Sequence, residues 1–177
     1  CDCTDEEGVK AMVADIAATL GPVDILVNNA GTQNEDDIDI NLKALIYMTE
    51  RYGIQPAIKS VLHIGSASGH TGAEFPEHCA SKGGVLTYTK NVAMRVAPFG
   101  ATCNSLDPGG VLTPLNACVI EDPELWAEIM EETPLKKWAT PEEIAKAKEM
   151  DLLTYLRRYE PYGLVRFSGG TFTTRSH

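Results

Sequence analysis

An α/β domain built on a mostly parallel sheet is the fold class that this sequence predicts. Three observations carry the prediction. Short apolar runs of strand length alternate with longer segments of helical period. The first runs are continuous in hydrophobicity, which is the pattern of strands covered on both faces. Each run empties into a loop of small or polar residues: Asn28-Asn29-Ala30-Gly31, Gly65-Ser66-Ala67-Ser68-Gly69 and Pro108-Gly109-Gly110. Strands and helices taken in turn give parallel pairing through crossover connections. The chain has 177 residues, 44% of them hydrophobic and 23% charged, so residues 1–177 are read as one domain with a packed core.

Thr4 to Leu20 reads as the first helix. Thr4 and Glu7 have the spacing of a capping box, and Asp5 and Glu6 suit the positive end of the helix dipole. Val9, Met12, Val13, Ile16 and Leu20 fall on one side, and Gly21-Pro22 stops the helix. Ile25-Leu26-Val27 is the first strand, read as buried on both faces. Ile38 to Tyr52 reads as helix, ending near Gly53. Val61-Leu62-His63-Ile64 is the second strand, with His63 read as a hydrogen-bonded strand histidine. Glu77 to Ala97 is a long helix with Val85, Tyr88, Val92 and Val96 along one side and Pro98 after its end. Ala101 to Leu106 is the third strand. Asp122 caps a helix that has Pro123 in its first position and Leu125, Trp126, Ile129 and Met130 inside. Thr140, Pro141 and Glu143 open another, and Leu164 to Phe167 is a fourth strand before Gly169-Gly170. The strand at Ile25 is then an apolar sheet edge, a site of self-association.

Lys plus Arg number 15 against 25 Asp plus Glu, a net charge of -10, and the pI is near 4.8. That balance speaks against a nucleic-acid surface and against anionic membrane, both of which need clustered basic residues. No apolar run approaches the roughly 20 residues of a membrane helix. Five cysteines, none in a C-x-x-C pair, point away from a disulfide framework or a structural zinc site and toward a reducing cytoplasm. No metal site is expected. The chain opens on Cys1, so a processed product or a fragment is expected.

In parallel sheets, chemistry sits outside the carboxyl ends of the strands. The three loops named above lie there, and the second is followed by a helix carrying Lys82. In this order the set resembles the short-chain dehydrogenase/reductase family, over nearly the whole chain. Asp24 to Gly31 is similar to that family's fourth strand and turn, and Cys1 to Asp5 to the end of its third strand. Ile40-Asn41-Leu42 is similar to the segment bearing an active-site Asn. Ala80-Ser81-Lys82-Gly83-Gly84 resembles the catalytic helix, and Pro108 to Pro114 the nicotinamide-side loop. Thr140 to Ala145 and Gly169-Gly170 resemble the closing segments.

The resemblance implies a Rossmann-like, doubly wound parallel sheet, here truncated at its N-terminus. It implies an NAD(P)-dependent oxidoreductase that interconverts a secondary alcohol and a carbonyl, acting on a small molecule as a homo-oligomer. Ser66 would hold the carbonyl oxygen, Asn41 would support a proton relay, and Lys82 would bind the nicotinamide ribose beside the acid–base residue. Asp2, Asn29, Ala30, Gly31, Lys82, Pro108, Gly109 and Thr113 would contact NAD or NADP. Residues 113–138 resemble the segment that covers the substrate.

Several positions depart from the family pattern. Its Tyr is missing, and His78 stands four residues before Lys82, on the same helical face. The Ser66–His78 interval is about one residue short, so either His replaces Tyr or a Tyr was lost after His78. No Gly-x-x-x-Gly-x-Gly turn for a pyrophosphate occurs within residues 1–177, so dinucleotide binding is expected to be weak or absent. The segment between Asn29 and Asn41 is short, which leaves the register of Asn41 open. An impaired oxidoreductase is therefore expected. The alternative is a non-catalytic remnant or binding module of the same descent.

Overall fold

The structure is a computed structural model that describes residues 1–33, 37–72 and 75–147. The described residues divide into two compact units, residues 1–107 and a unit beginning at Pro108. The expected strand at Leu164–Phe167 and Gly169-Gly170 lie outside the described residues. Among the described residues no helix is long and apolar enough to cross a membrane.

The first unit holds a three-stranded sheet in the order β1-β2-β3, all parallel: β1 Ile25–Asn28, β2 Ser60–Ile64 and β3 Thr102–Leu106. Helix α1 (Glu6–Thr19) precedes β1. A helical segment from Ile38 to Gly53 joins β1 to β2, and α3 (Ser68–Thr71) and α4 (Pro76–Val96) join β2 to β3. The register places Leu26 beside Val61 and Val61 beside Cys103, one row of apolar side chains across the sheet. Tyr52, Ile58, Val92 and Val96 close over that row, and Met12, Val13 and Ile16 of α1 pack against it. The next row toward the carboxyl ends is Asn28, His63 and Ser105, all buried and polar. The covered face thus turns from apolar to hydrogen-bonding as it nears the loops.

Three sequence expectations are corrected. The strand at Ile25 is buried on one face only. Leu26 and Asn28 point into the core, while Ile25 and Val27 are 62% and 42% exposed on an edge strand. A period-two strand with one partner shows one set of side chains to solvent unless a second layer covers it. The capping box of Thr4 with Glu7 does not form. Thr4 donates both its amide and its hydroxyl to Asp2 Oδ1 at 2.8 Å, and α1 begins after Asp5. Leu20 follows the helix as its C-cap and is exposed rather than packed.

The helix read at Ile38–Tyr52 is present, but it is wound wide at both ends. Ile38–Ala44 and Thr49–Gly53 are π-helical, and only Leu45–Met48, α2, is α-helical. Wide turns of this kind are rare and gather at functional sites.

The second unit carries α5 (Ala117–Ile120), α6 (Pro123–Glu132) and α7 (Pro141–Ala147). Asp122 caps α6 as expected, its Oδ1 accepting from the amides of Glu124 and Leu125. Thr140 and Glu143 make a reciprocal capping box at α7. Trp126 and Trp138 meet edge to face with ring centroids 5.2 Å apart. Gly110 lies flat on the Trp138 ring, where any Cβ would overlap the indole.

Candidate active site

The polar row of the sheet anchors the helices above it. His63 is fully buried, with Nε2 3.2 Å from Thr49 Oγ1 and Nδ1 2.9 Å from Thr89 Oγ1. Its ring stacks on Tyr88. Burial pushes its pKa down to about 4, so the ring is neutral near pH 7. Asn28 Nδ2 donates to the same Thr49 hydroxyl at 2.9 Å. The expectation of a hydrogen-bonded histidine is met by two threonines, one from each flanking helix.

Beyond this row the expected residues of the first unit converge. Lys82 is 7% exposed, and its Nζ donates to Ile64 O at 2.9 Å. An ammonium has three donors, so the others remain for a ligand or water. Gly31 closes the turn after β1: a Cβ there would stand 3.0 Å from Asn41 Oδ1 and 3.6 Å from Lys82 Nζ. Asn41 is buried despite its wide-turn helix. It accepts from Thr32 N at 2.8 Å and donates to Thr32 O at 2.9 Å and to Ser81 Oγ at 3.3 Å. Asn29 and Ala30 are exposed in the same turn. The loop after β2 is pressed onto α4 at Gly69, whose Cβ position lies 2.7 Å from the carbonyl carbon of Lys82. In that loop Ser66 Oγ accepts from Ser68 N at 3.2 Å and from Ser68 Oγ at 2.8 Å. Gly69→Ala should therefore cost about 1–3 kcal/mol, because the obstacle is backbone that cannot rotate away. Urea denaturation of the variant reads this; an unchanged midpoint would show that the loop does not press on α4.

Burial pushes the Lys82 pKa down to about 8, while the carboxylates of Asp37 and Asp107 pull it back upward. Neither acid was singled out from the sequence. Asp107 is buried, hydrogen-bonded to Ser105 Oγ and 3.0 Å from His70 Nε2. Asp37 is buried with its Oδ2 3.4 Å from His78 Nδ1. An acid immediately after a strand, in Ser105-Leu106-Asp107-Pro108, was the available signal for the first. An acid four residues before Asn41 was the signal for the second. His78 stands one turn before Lys82 near the start of α4.

The remaining expected residues are Asp2 and three residues of the second unit. Asp2 is exposed at the head of the chain with Oδ1 taken by Thr4, whose amide and hydroxyl hold its carboxyl below the usual range. Pro108, Gly109 and Thr113 belong to the second unit, where Thr113 N donates to Val111 O at 2.9 Å. No group of three or more His, Cys, Asp or Glu among the described residues is placed to hold a metal ion. None of the five cysteines is in a disulfide.

The chain is similar to known proteins over most of its length. A family profile described as enoyl-(acyl carrier protein) reductase matches residues 1–150. Nodulation protein G of Azospirillum brasilense is 35% identical over 185 residues, covering 96% of this chain and 74% of that protein. D-beta-hydroxybutyrate dehydrogenase of Rhizobium meliloti is 34% identical over 171 residues, covering 81% of this chain and 66% of that protein. A crystal structure of a gluconate 5-dehydrogenase from Burkholderia cenocepacia, in complex with NADP and tartrate, superposes with a TM-score of 0.76 at 25% identity. It covers 83% of this chain and 64% of that one. The chain thus spans about two thirds of the length of the proteins it matches.

Proposed function

The chain belongs to the short-chain dehydrogenase/reductase family, whose Rossmann-like α/β fold it shares, and we propose that it works as an oxidoreductase that interconverts a secondary alcohol and a carbonyl with NAD or NADP. The observation that carries the proposal is the convergence of Gly31, Asn41 and Lys82, with the Ser66 loop held against α4 by Gly69. The Lys82 donors not used by Ile64 O, beside the Gly31 turn, suit the hydroxyls of a ribose. Amides for a pyrophosphate would come from a glycine turn, and residues 1–177 contain none. The residues present therefore fit the nicotinamide half of a dinucleotide.

An oxidised nicotinamide bound there would supply the hydride acceptor, taking the carbinol hydrogen with its electron pair. The chain's own part is to position the alcohol and remove its hydroxyl proton. Ser66 Oγ sits in the loop facing α4 and can donate to the substrate oxygen. His78, in the place of the family Tyr, accepts the proton on its imidazole. Lys82, one helical turn further on, binds ribose hydroxyls. Imidazole nitrogen reaches less far than a phenol oxygen, and misplacements near 1 Å cost about 10²-fold. Turnover is accordingly slow.

The test is calorimetric titration of the 177-residue chain with NAD and NADP, followed by alcohol oxidation at millimolar dinucleotide. Binding no tighter than millimolar and a slow alcohol-dependent reduction are expected. The proposal fails if a chimera carrying the first two βα units of a relative binds dinucleotide and still oxidises no secondary alcohol. The second reading, a non-catalytic binding module, draws its support from His78 at the acid–base position. Self-association through the exposed β1 edge is part of the same proposal, and a monodisperse monomer on sedimentation at high concentration would count against it.

A further inference from the structure

The Nδ1 atom of His78 is buried from solvent and has no partner in hydrogen-bond geometry. The group facing it is the carboxylate of Asp37, with Oδ2 3.4 Å away and a side chain that is 1% exposed. Asp37 stands at the start of the wide-wound helix that also carries Asn41, and it lies within the field of Lys82. A buried carboxylate between an imidazole and an ammonium has a chemical consequence. When His78 takes the proton of an alcohol it becomes a cation one helical turn from another cation. Unaided, that step is opposed by Lys82. A carboxylate on the far nitrogen removes the opposition and fixes which nitrogen is free. The 3.4 Å separation is longer than a formed charge-assisted bond, as catalytic contacts often are before ligand binds.

Resting on the oxidoreductase reading, we propose that Asp37 is the positioning residue for His78, holding Nδ1–H so that Nε2 is the nitrogen that exchanges the proton with the substrate oxygen. The O–H bond of the alcohol breaks and its proton goes to Nε2; a bound oxidised nicotinamide would supply the acceptor for the carbinol hydrogen and its electron pair. Asp37 gains no proton. The family's Tyr needs no such partner, because a phenol has one oxygen and no tautomer to choose. The pairing of an acid at position 37 with a histidine at position 78 thus makes the departure from Tyr chemically coherent.

The experiment is ¹⁵N NMR of the imidazoles in the 177-residue chain, with the His78 signals identified by their loss in His78→Gln. In the neutral ring, the wild type should carry its proton on Nδ1. In Asp37→Asn, whose amide can donate to the ring, the proton should move to Nε2, and Asp37→Glu should restore the Nδ1 form. Asp37→Asn should also lower kcat by 10²-fold or more, with KM and dinucleotide affinity unchanged. A purely structural acid, or one serving only Lys82, would move affinity and leave the tautomer alone. A wild-type His78 protonated on Nε2 overturns the proposal without any variant. So does a tautomer that is indifferent to Asn at position 37, or a switched tautomer with unchanged kcat. If the wild type oxidises no alcohol, the oxidoreductase reading fails by itself, and the wild-type tautomer still decides whether Asp37 sets His78.

Discussion

Lowering the pH from 6.5 to about 4 should take about 3 kcal/mol from the stability of the unit that holds His63. The unfolded chain takes up the His63 proton near pH 6.5, whereas the folded chain, with the ring buried, resists it until about 4. Between those values the unfolded state binds more protons, so stability falls as pH falls. The slope is about 1.4 kcal/mol per pH unit, and the loss levels off below about 4. The surroundings of the ring explain why it cannot simply adapt. Thr49 Oγ1 donates to Leu45 O and Thr89 Oγ1 to Val85 O, while both also face a ring nitrogen. A neutral ring has one N–H, so one threonine must turn its proton from its carbonyl to the ring. Arg95 holds the Glu50 carboxyl below its usual range, so Glu50 adds a loss of the same sign as the pH falls. Both tryptophans lie in the second unit, so a probe inside the first unit has to follow this transition. Hydrogen exchange of the β2 amides does. His63→Asn should flatten the slope between pH 6.5 and 4, and an unchanged slope would locate the acid sensitivity elsewhere.

Replacing Lys82 by Met should reduce alcohol oxidation by about 10²–10⁴-fold. The substitution keeps an unbranched chain beside Gly31 and Ile64 O and removes the charge. Two things go with it: the proposed ribose contact and the counter-charge for Asp37 and Asp107. The pH profile separates a lost charge from a lost shape. Lys82 releases its proton near 8, so the wild-type rate should decline above about pH 8, and the Met variant should lack that alkaline limb. The same low pKa has a stability sign. The unfolded lysine titrates near 10.5, so between 8 and 10.5 the unfolded state binds more protons and stability rises with pH. A Met variant that retains the limb and most of its rate would remove Lys82 from the proposed machinery.

The sheet and its long helix were legible because their signals are local. Val61 to Ile64 is a compact apolar run, and the Val85, Val92 and Val96 spacing marks the face of α4 that is buried. Asp122-Pro123 announced a helix start that the structure shows bonded at two amides. The one-sided burial of β1 was not legible, since an apolar run does not reveal how many layers flank it. The wide turns at Ile38–Ala44 have no residue signature, because they differ from α-helix only in which carbonyl each amide meets. The lysine, the two asparagine-bearing segments and the serine loop were singled out by their resemblance to a family pattern. Asp37 and Asp107 left only faint marks in the sequence, an acid four residues before Asn41 and an acid just after a strand, because what matters about them is a contact made across many residues of chain. Local patterns do not encode such a contact.

None of the strand pairings in the first unit is local. Leu26 meets Val61, and Val61 meets Cys103, each across a connection that includes helix. Parallel pairing of this kind requires long loops to close before any ladder bond forms, which slows folding. Helix α4, at 21 residues, can gain helical structure early, but its apolar side has no sheet to rest on until β1 and β2 have met. On a ribosome the middle strand would wait for β3, so Val61 and Cys103 come together only after residue 106 has emerged. During that interval Leu26, Val61 and the valines of α4 are open to solvent together. Slow synthesis through the α4–β3 stretch would lengthen that exposure, so the yield of soluble chain should depend on translation speed and on chaperones that cover apolar surface.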